Sequence, residues 1–218
     1  MGEGWDDLDG KEGRGLVEES VFLARLLVTL LPSEPEPRGL LSLMLFCEAR
    51  RAARRDDDGR FVPLLAQDTR RWSRPMIAEA ETLLAKAAEA KQFGRFQCEA
   101  AIQSVHAQRA ITGEVHREAL RTLYDLLLAY APSIGIAVGR AAALLEAGDL
   151  EAAAKSLDAI EPADAQSYQP YWVLRAGLAE ASGDRAAARS FLERGIGLTE
   201  DAAVRAFLLE RFEALGEP

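Results

Sequence analysis

The sequence predicts an all-α fold of paired helices stacked in the manner of an α-solenoid. Three observations carry this. Alanine and leucine dominate a chain of 218 residues that is 49% hydrophobic but only 7% aromatic, a mix suited to helices packed closely through small side chains. Apolar residues recur with the period of a helix over most of the length, and no stretch alternates convincingly as a strand. Finally, Gly148-Asp149 and Gly183-Asp184, 35 residues apart, sit in matching surroundings.

Residues Met1 to Arg14 lack periodicity, hold several glycines and aspartates, and read as an irregular lead-in. Leu16 to Leu31 carries Leu16, Phe22, Leu23, Leu26, Leu27 and Leu30 on one broad face, which predicts an amphipathic helix. "PSEPEP" (Pro32 to Pro37) stops it, because proline cannot continue the hydrogen-bond ladder. A second helix, roughly Arg38 to Arg55, starts apolar all round and is expected to be buried. It ends at "RDDDGR", a turn. "FVPLLAQDTRRWSRP" follows without a clean period. A third helix spans Met76 to Ala90, with Ser73 and Pro75 as cap and first-turn proline. The pattern resumes over Arg95–Arg109, Glu114–Tyr130, Ile134–Glu146, Leu150–Ile160, Pro170–Ala181, Arg185–Gly195 and Asp201–Leu215.

Shifting the chain on itself by 35 residues lays Arg140-Ala141 on Arg175-Ala176, Ala152-Ala153 on Ala187-Ala188, and Leu157 on Leu192. Each unit is a helix, a Gly-Asp turn and an alanine-rich second helix, the layout of a tetratricopeptide-like hairpin. Ala141 with Ala153, and Ala176 with Ala188, are expected where the paired helices come closest. Trp172 has the place of the large aromatic in such a repeat. A weaker third unit pairs Phe96–Arg109 with the helix holding Leu123, Leu126 and Leu127, all expected to face inward. The last helix is left to cap the stack.

The chemistry-bearing residues form no catalytic or metal motif. His106 and His116 are the only histidines, Cys47 and Cys98 the only cysteines, and no spacing among them suits zinc. His106 reads as a partly buried core residue and His116 as exposed. There is no nucleophile elbow and no phosphate-binding loop. "DDDG" (Asp56 to Gly59) lacks the alternation and distant glutamate of a calcium loop and reads as a charged turn. No cofactor or metal is expected, and no enzymatic activity. The net charge of −9 argues against broad binding to phosphate backbones. One basic island stands out: Arg50, Arg51, Arg54, Arg55, Arg60, Arg70, Arg71 and Arg74. Either it meets an acidic partner or a nucleic-acid strand, or it pairs with neighbouring aspartates and ties down the irregular loop. The longest apolar runs are too short to span a membrane, and two cysteines in helix-like surroundings suggest a reducing cytoplasm.

Whole segments carry a resemblance. "VFLARLLVTLLPSEPEPRGLLSLMLFCEARRAARRDDDGRFVPLLAQDTRRWSRPMIAEA", "QCEAAIQSVHAQ", "LYDLLLAYAPS" and "GDRAAARSFLERGIGLTEDAAVRAFLLERF" resemble the C-terminal extension of bacterial extracytoplasmic-function sigma factors. That extension is helical and ends in tetratricopeptide-like repeats. The likeness runs from "GEGW" (Gly2 to Trp5) through Leu215, and Gln67, Asp68, Arg71 and Trp72 are its most specific part. The sequence departs from the pattern at Ile134, Gly139 and Val115-His116-Arg117. The resemblance implies an amino-terminal helical part (1–93) and repeats with a capping helix (94–218). It implies a non-catalytic regulatory domain that modulates transcription initiation through a protein partner, the sigma regions or RNA polymerase. Candidate contact residues, assigned by segment, are Asp68, Arg71, Trp72 and His106. The DNA-binding sigma regions are not among these residues, so DNA binding is not expected from this chain, which reads as an excised domain or a stand-alone relative. Two other readings stay open: a scaffold for an unrelated protein, and a small-molecule sensor or enzyme with a pocket between the amino-terminal helices and the repeats.

Overall fold

The computed structural model describes residues 11–216, with side chains from Gly15 onward. Within them the chain is all-helical, with no β-strand. The helices are α1 (Lys11–Leu30), α2 (Glu36–Ala49), α3 (Arg74–Glu89), α4 (Arg95–Thr112), α5 (Arg117–Tyr130), α6 (Ile134–Glu146), α7 (Leu150–Asp158), α8 (Pro162–Ala165), α9 (Gln169–Ala181), α10 (Arg185–Gly197) and α11 (Ala202–Ala214). They fall into two compact units. Among the described residues, one holds 11–55 and 62–131, the other 56–61 and 132–216.

In the first unit α2 is the centre, packed on α1, α3 and α4. Leu41, Ser42, Leu43, Met44, Leu45, Phe46 and Cys47 are all buried, as an all-round apolar helix requires. Ser42 meets its polar need by donating to the Ala80 carbonyl of α3 at 2.8 Å. Gly39 lets α2 approach α4: a Cβ there would stand 2.7 Å from the backbone N of Gln97. Glu36 then caps α4 from outside, its carboxylate accepting from the N–H groups of Phe96 (2.9 Å) and Gln97 (3.1 Å). A carboxylate at a helix N-terminus satisfies free donors and meets the positive end of the dipole.

Several sequence expectations shift here. Residues 11–15 are helical, so α1 starts before Leu16; the rest of the expected lead-in lies outside the described residues. Pro37 sits in the first turn of α2, where a missing N–H costs nothing. Ser73 holds the N-cap position of α3 without a side-chain capping bond. Leu126 faces outward at 49% exposure, while Leu120 and Leu127 are buried. Helix α5 packs on α4 along a single stripe, which Leu126 misses. Gly113, at φ +77, ends α4 and delays α5 to Arg117. The "DDDG" segment is a charged turn, with Asp56 accepting from the N–H groups of Asp58 and Arg60.

In the second unit α6 pairs with α7 and α9 with α10, while α11 packs on α10. The two Gly-Asp joints are copies. Asp149 N–H donates to Leu144 O and Gly148 N–H to Leu145 O; Asp184 N–H donates to Ala179 O and Gly183 N–H to Glu180 O. This is a glycine-terminated helix end with both paired bonds, and each glycine is left-handed, at φ +83 and +79. Each aspartate then caps the next helix: Asp149 accepts from Ala152 N–H and Asp184 from Ala187 N–H, both at 3.0 Å. Ala141, Ala153, Ala176 and Ala188 are buried, as are the equivalent Leu157 and Leu192. The two hairpins thus share their joint geometry and the burial of the matched alanines and leucines.

Candidate functional site

The most specific segment of the sequence folds as a tie. Residues 61–73 have no regular period because two single-turn 3-10 helices, Leu64–Ala66 and Thr69–Arg71, and extended residues make up most of them. Such a segment exposes backbone carbonyls that need donors. Arg109 of α4 supplies them: its guanidinium donates to the carbonyls of Leu65 (2.6 Å), Leu64 (2.9 Å) and Gln67 (3.1 Å). The same guanidinium lies 5.2 Å from the Trp72 ring centre, a cation–π contact. Trp72 Nε1–H donates to Gln67 Oε1, and Gln67 Nε2–H to Val62 O, both at 3.2 Å. Buried Arg54 donates to Cys47 O at 2.9 Å.

The four candidate contact residues therefore divide. Trp72 (3% exposed) and His106 (9%) are internal and present little surface to a partner. Burial first, then the charges of Arg50 and Arg109, push the His106 imidazole down to about 4, so it is neutral at pH 7. Arg71 is exposed and Asp68 half-exposed. Hydrogen bonds from the Arg70 side chain and backbone hold the Asp68 carboxyl at about 2. The basic island is dispersed: Arg54 turns inward, Arg51 pairs with Glu48 (2.8 Å), Arg70 with Asp68 (2.8 Å), and Arg50 donates to Gln103 (2.6 Å). Much of it ties the chain to itself.

The Cys98 thiol is pushed up to about 11 by burial and by Glu99 and Glu36, far from a nucleophile at neutral pH. Among the described residues no three His, Cys, Asp or Glu side chains gather as a metal site. No helix among them is long and apolar enough to cross a membrane.

The second unit offers a different kind of site, which sequence reasoning missed. An open groove of about 810 Å³ is lined by Pro162, Ala163 and Gln166 on one wall and Ser190, Glu193 and Arg194 on the other. Trp172 and Phe191, half-buried with ring centres 6.1 Å apart, form its floor. Arg194 lies 5.7 Å from the Trp172 ring centre and donates to Gln166 O at 3.3 Å. The short α8, not visible as a helical period, builds the near wall. An apolar floor with a cation and an anion at the rim suits an extended peptide with an apolar side chain beside a charge.

A model for a "Family of unknown function (DUF6596)" matches residues 2–88, which takes in the 61–73 segment with Trp72 but neither Arg109 nor the groove. "Uncharacterized protein R00370" of Rhizobium meliloti (strain 1021) is 36% identical over 217 residues, covering 98% of this chain and 51% of the relative. The chain thus spans about half the length of the curated relative it matches.

Proposed function

We propose that the chain is a non-catalytic protein-interaction domain, the tetratricopeptide-like extension of an extracytoplasmic-function sigma factor, and that it modulates transcription initiation. The observation that carries the interaction reading is the groove floored by Trp172 and Phe191 and rimmed by Glu193 and Arg194. It opens on α9 and α10, whose joint repeats that of α6 and α7, so the groove belongs to a stack of like hairpins. The sigma-factor reading is supported by the segment resemblance. A relative with as much chain again leaves room for upstream regions. In this reading the partner is a sigma region or a polymerase component, in the cytoplasm, with no cofactor or metal. Asp68 and Arg71 meet the partner directly, while Trp72, held by Gln67 and Arg109, positions the loop that carries them. DNA contact is not required of a chain at net charge −9.

The test is transcription in vitro by core polymerase with the two sigma regions alone. Adding this chain changes transcript yield in a saturable way, and Phe191→Asp with Arg194→Glu weakens the effect at least tenfold. A chain without effect on any such factor from its own organism would instead favour a scaffold for an unrelated protein.

A further inference from the structure

Helix α1 has two apolar faces, and the first unit uses one. Val17 and Ala24 are buried, and Val21, Ala24 and Val28 pack into the core with Leu41, Leu45 and Ala80. Turned away from these, Leu16 (53% exposed), Leu23 (53%), Leu26 (43%), Leu27 (37%) and Leu30 (66%) form a continuous row, flanked by Phe22 (64%). Together they leave roughly 600 Å² of apolar side chain in water, the upper end of what a monomer exposes in one patch.

We propose that this row is a homodimer interface, in which α1 packs antiparallel on α1 of a second copy with the two-fold axis at Leu23. The spacing argues for a self-complementary partner. Leu16, Leu23 and Leu30 follow at intervals of seven residues, the repeat of a helix–helix seam. Leu16 and Leu30 stand seven residues either side of Leu23, so reversing the helix lays Leu16 on Leu30 of the partner and Leu23 on its own copy, as an isologous contact demands, with Leu27 level with Glu19 of the second copy. Complete burial of two such faces removes at most about 1,200 Å², the lower edge of the range of specific, stable interfaces.

Charge sets the orientation. Glu18 and Glu19 lie near the start of the helix, and its other described charge, Arg25, is paired with Glu79 of α3. A parallel pair would set Glu19 against its own copy. The antiparallel pair separates them by about 12 Å along the axis, beyond the ~8 Å screening length at physiological salt. The same acids disfavour a membrane surface, since helices that lie on membranes are rich in Lys and Arg on the polar face.

The experiment is light scattering of the purified chain at about 50 μM, where a micromolar dimer is mostly assembled. The expected mass is twice that of the chain. Leu23→Glu, at a site already half-exposed, returns it to monomer with its helical circular dichroism unchanged. If that variant misfolds, cysteine pairing decides. Leu23→Cys forms a disulfide dimer on oxidation, Leu16→Cys alone does not, and Leu16→Cys with Leu30→Cys does. Cys47 and Cys98 are buried and do not compete. A monomeric wild-type chain overturns the proposal, as does a dimer that survives Leu23→Glu. Crosslinking through Leu16→Cys alone would overturn the antiparallel arrangement.

Discussion

Replacing Gly148 by alanine isolates the backbone term at a repeat joint. The glycine is left-handed at φ +83, and a Cβ added there would meet no atom within 4 Å. Packing therefore contributes nothing, and the cost is that of forcing an L-residue into left-handed geometry, about 1–2 kcal/mol. Gly183 has φ +79 and the same open surroundings, so Gly183→Ala costs the same within a few tenths. Gly197 is the control. It ends α10 with no positive φ and equally open space, so Gly197→Ala stabilises, by about 0.4–1 kcal/mol, through a less flexible unfolded chain. Urea unfolding followed by circular dichroism reads all three. Equal losses at 148 and 183 with a gain at 197 fit the joint described above. A neutral Gly148→Ala, or the same sign at all three sites, would refute it.

Other consequences follow from the first unit. His106 titrates at about 4 in the folded chain against about 6.5 when unfolded. The unfolded state binds the extra proton first, so stability falls as pH drops from about 6.5 to 4, by at most about 3 kcal/mol. His106→Gln should flatten that part of a stability–pH curve. Arg109→Met leaves three carbonyls and the Trp72 ring without their cation and should cost about 2–4 kcal/mol. It should also raise the His106 pKa in a proton NMR titration, because the Arg109 charge helps to depress it. Both thiols are buried, so an aromatic disulfide reagent should react with neither at pH 8 until denaturant is added.

The parts of the fold legible in the sequence were those set by local rules. Left-handed geometry at Gly148 and Gly183, capping by Asp149 and Asp184, and close packing at Ala141 and Ala176 depend on residues near in sequence or repeated along it. The tie of residues 61–73 was not legible, because the donor is Arg109, more than thirty residues away and unremarkable in its helix. The exposed apolar residues on α1 read as one broad face, although it is Val17, Val21, Ala24 and Val28 that reach the core. A hydrophobic stripe says that a helix buries something, not on how many sides. The groove escaped because α8 is a single turn and because Trp172, at the place of the large aromatic in a repeat, carries no local sign of lining a surface. Trp72 shows the converse: a conspicuous tryptophan amid arginines looked like a contact and is internal.

The central claim is that the chain works by binding a sigma region or polymerase component. The most direct measurement is isothermal titration of the whole chain with the separately purified sigma regions and with core polymerase. The account predicts saturable binding of one site per chain to one of them, weakened at least tenfold by Phe191→Asp with Arg194→Glu while the helical signal is kept. No heat with either partner, or binding indifferent to those two residues, would contradict it.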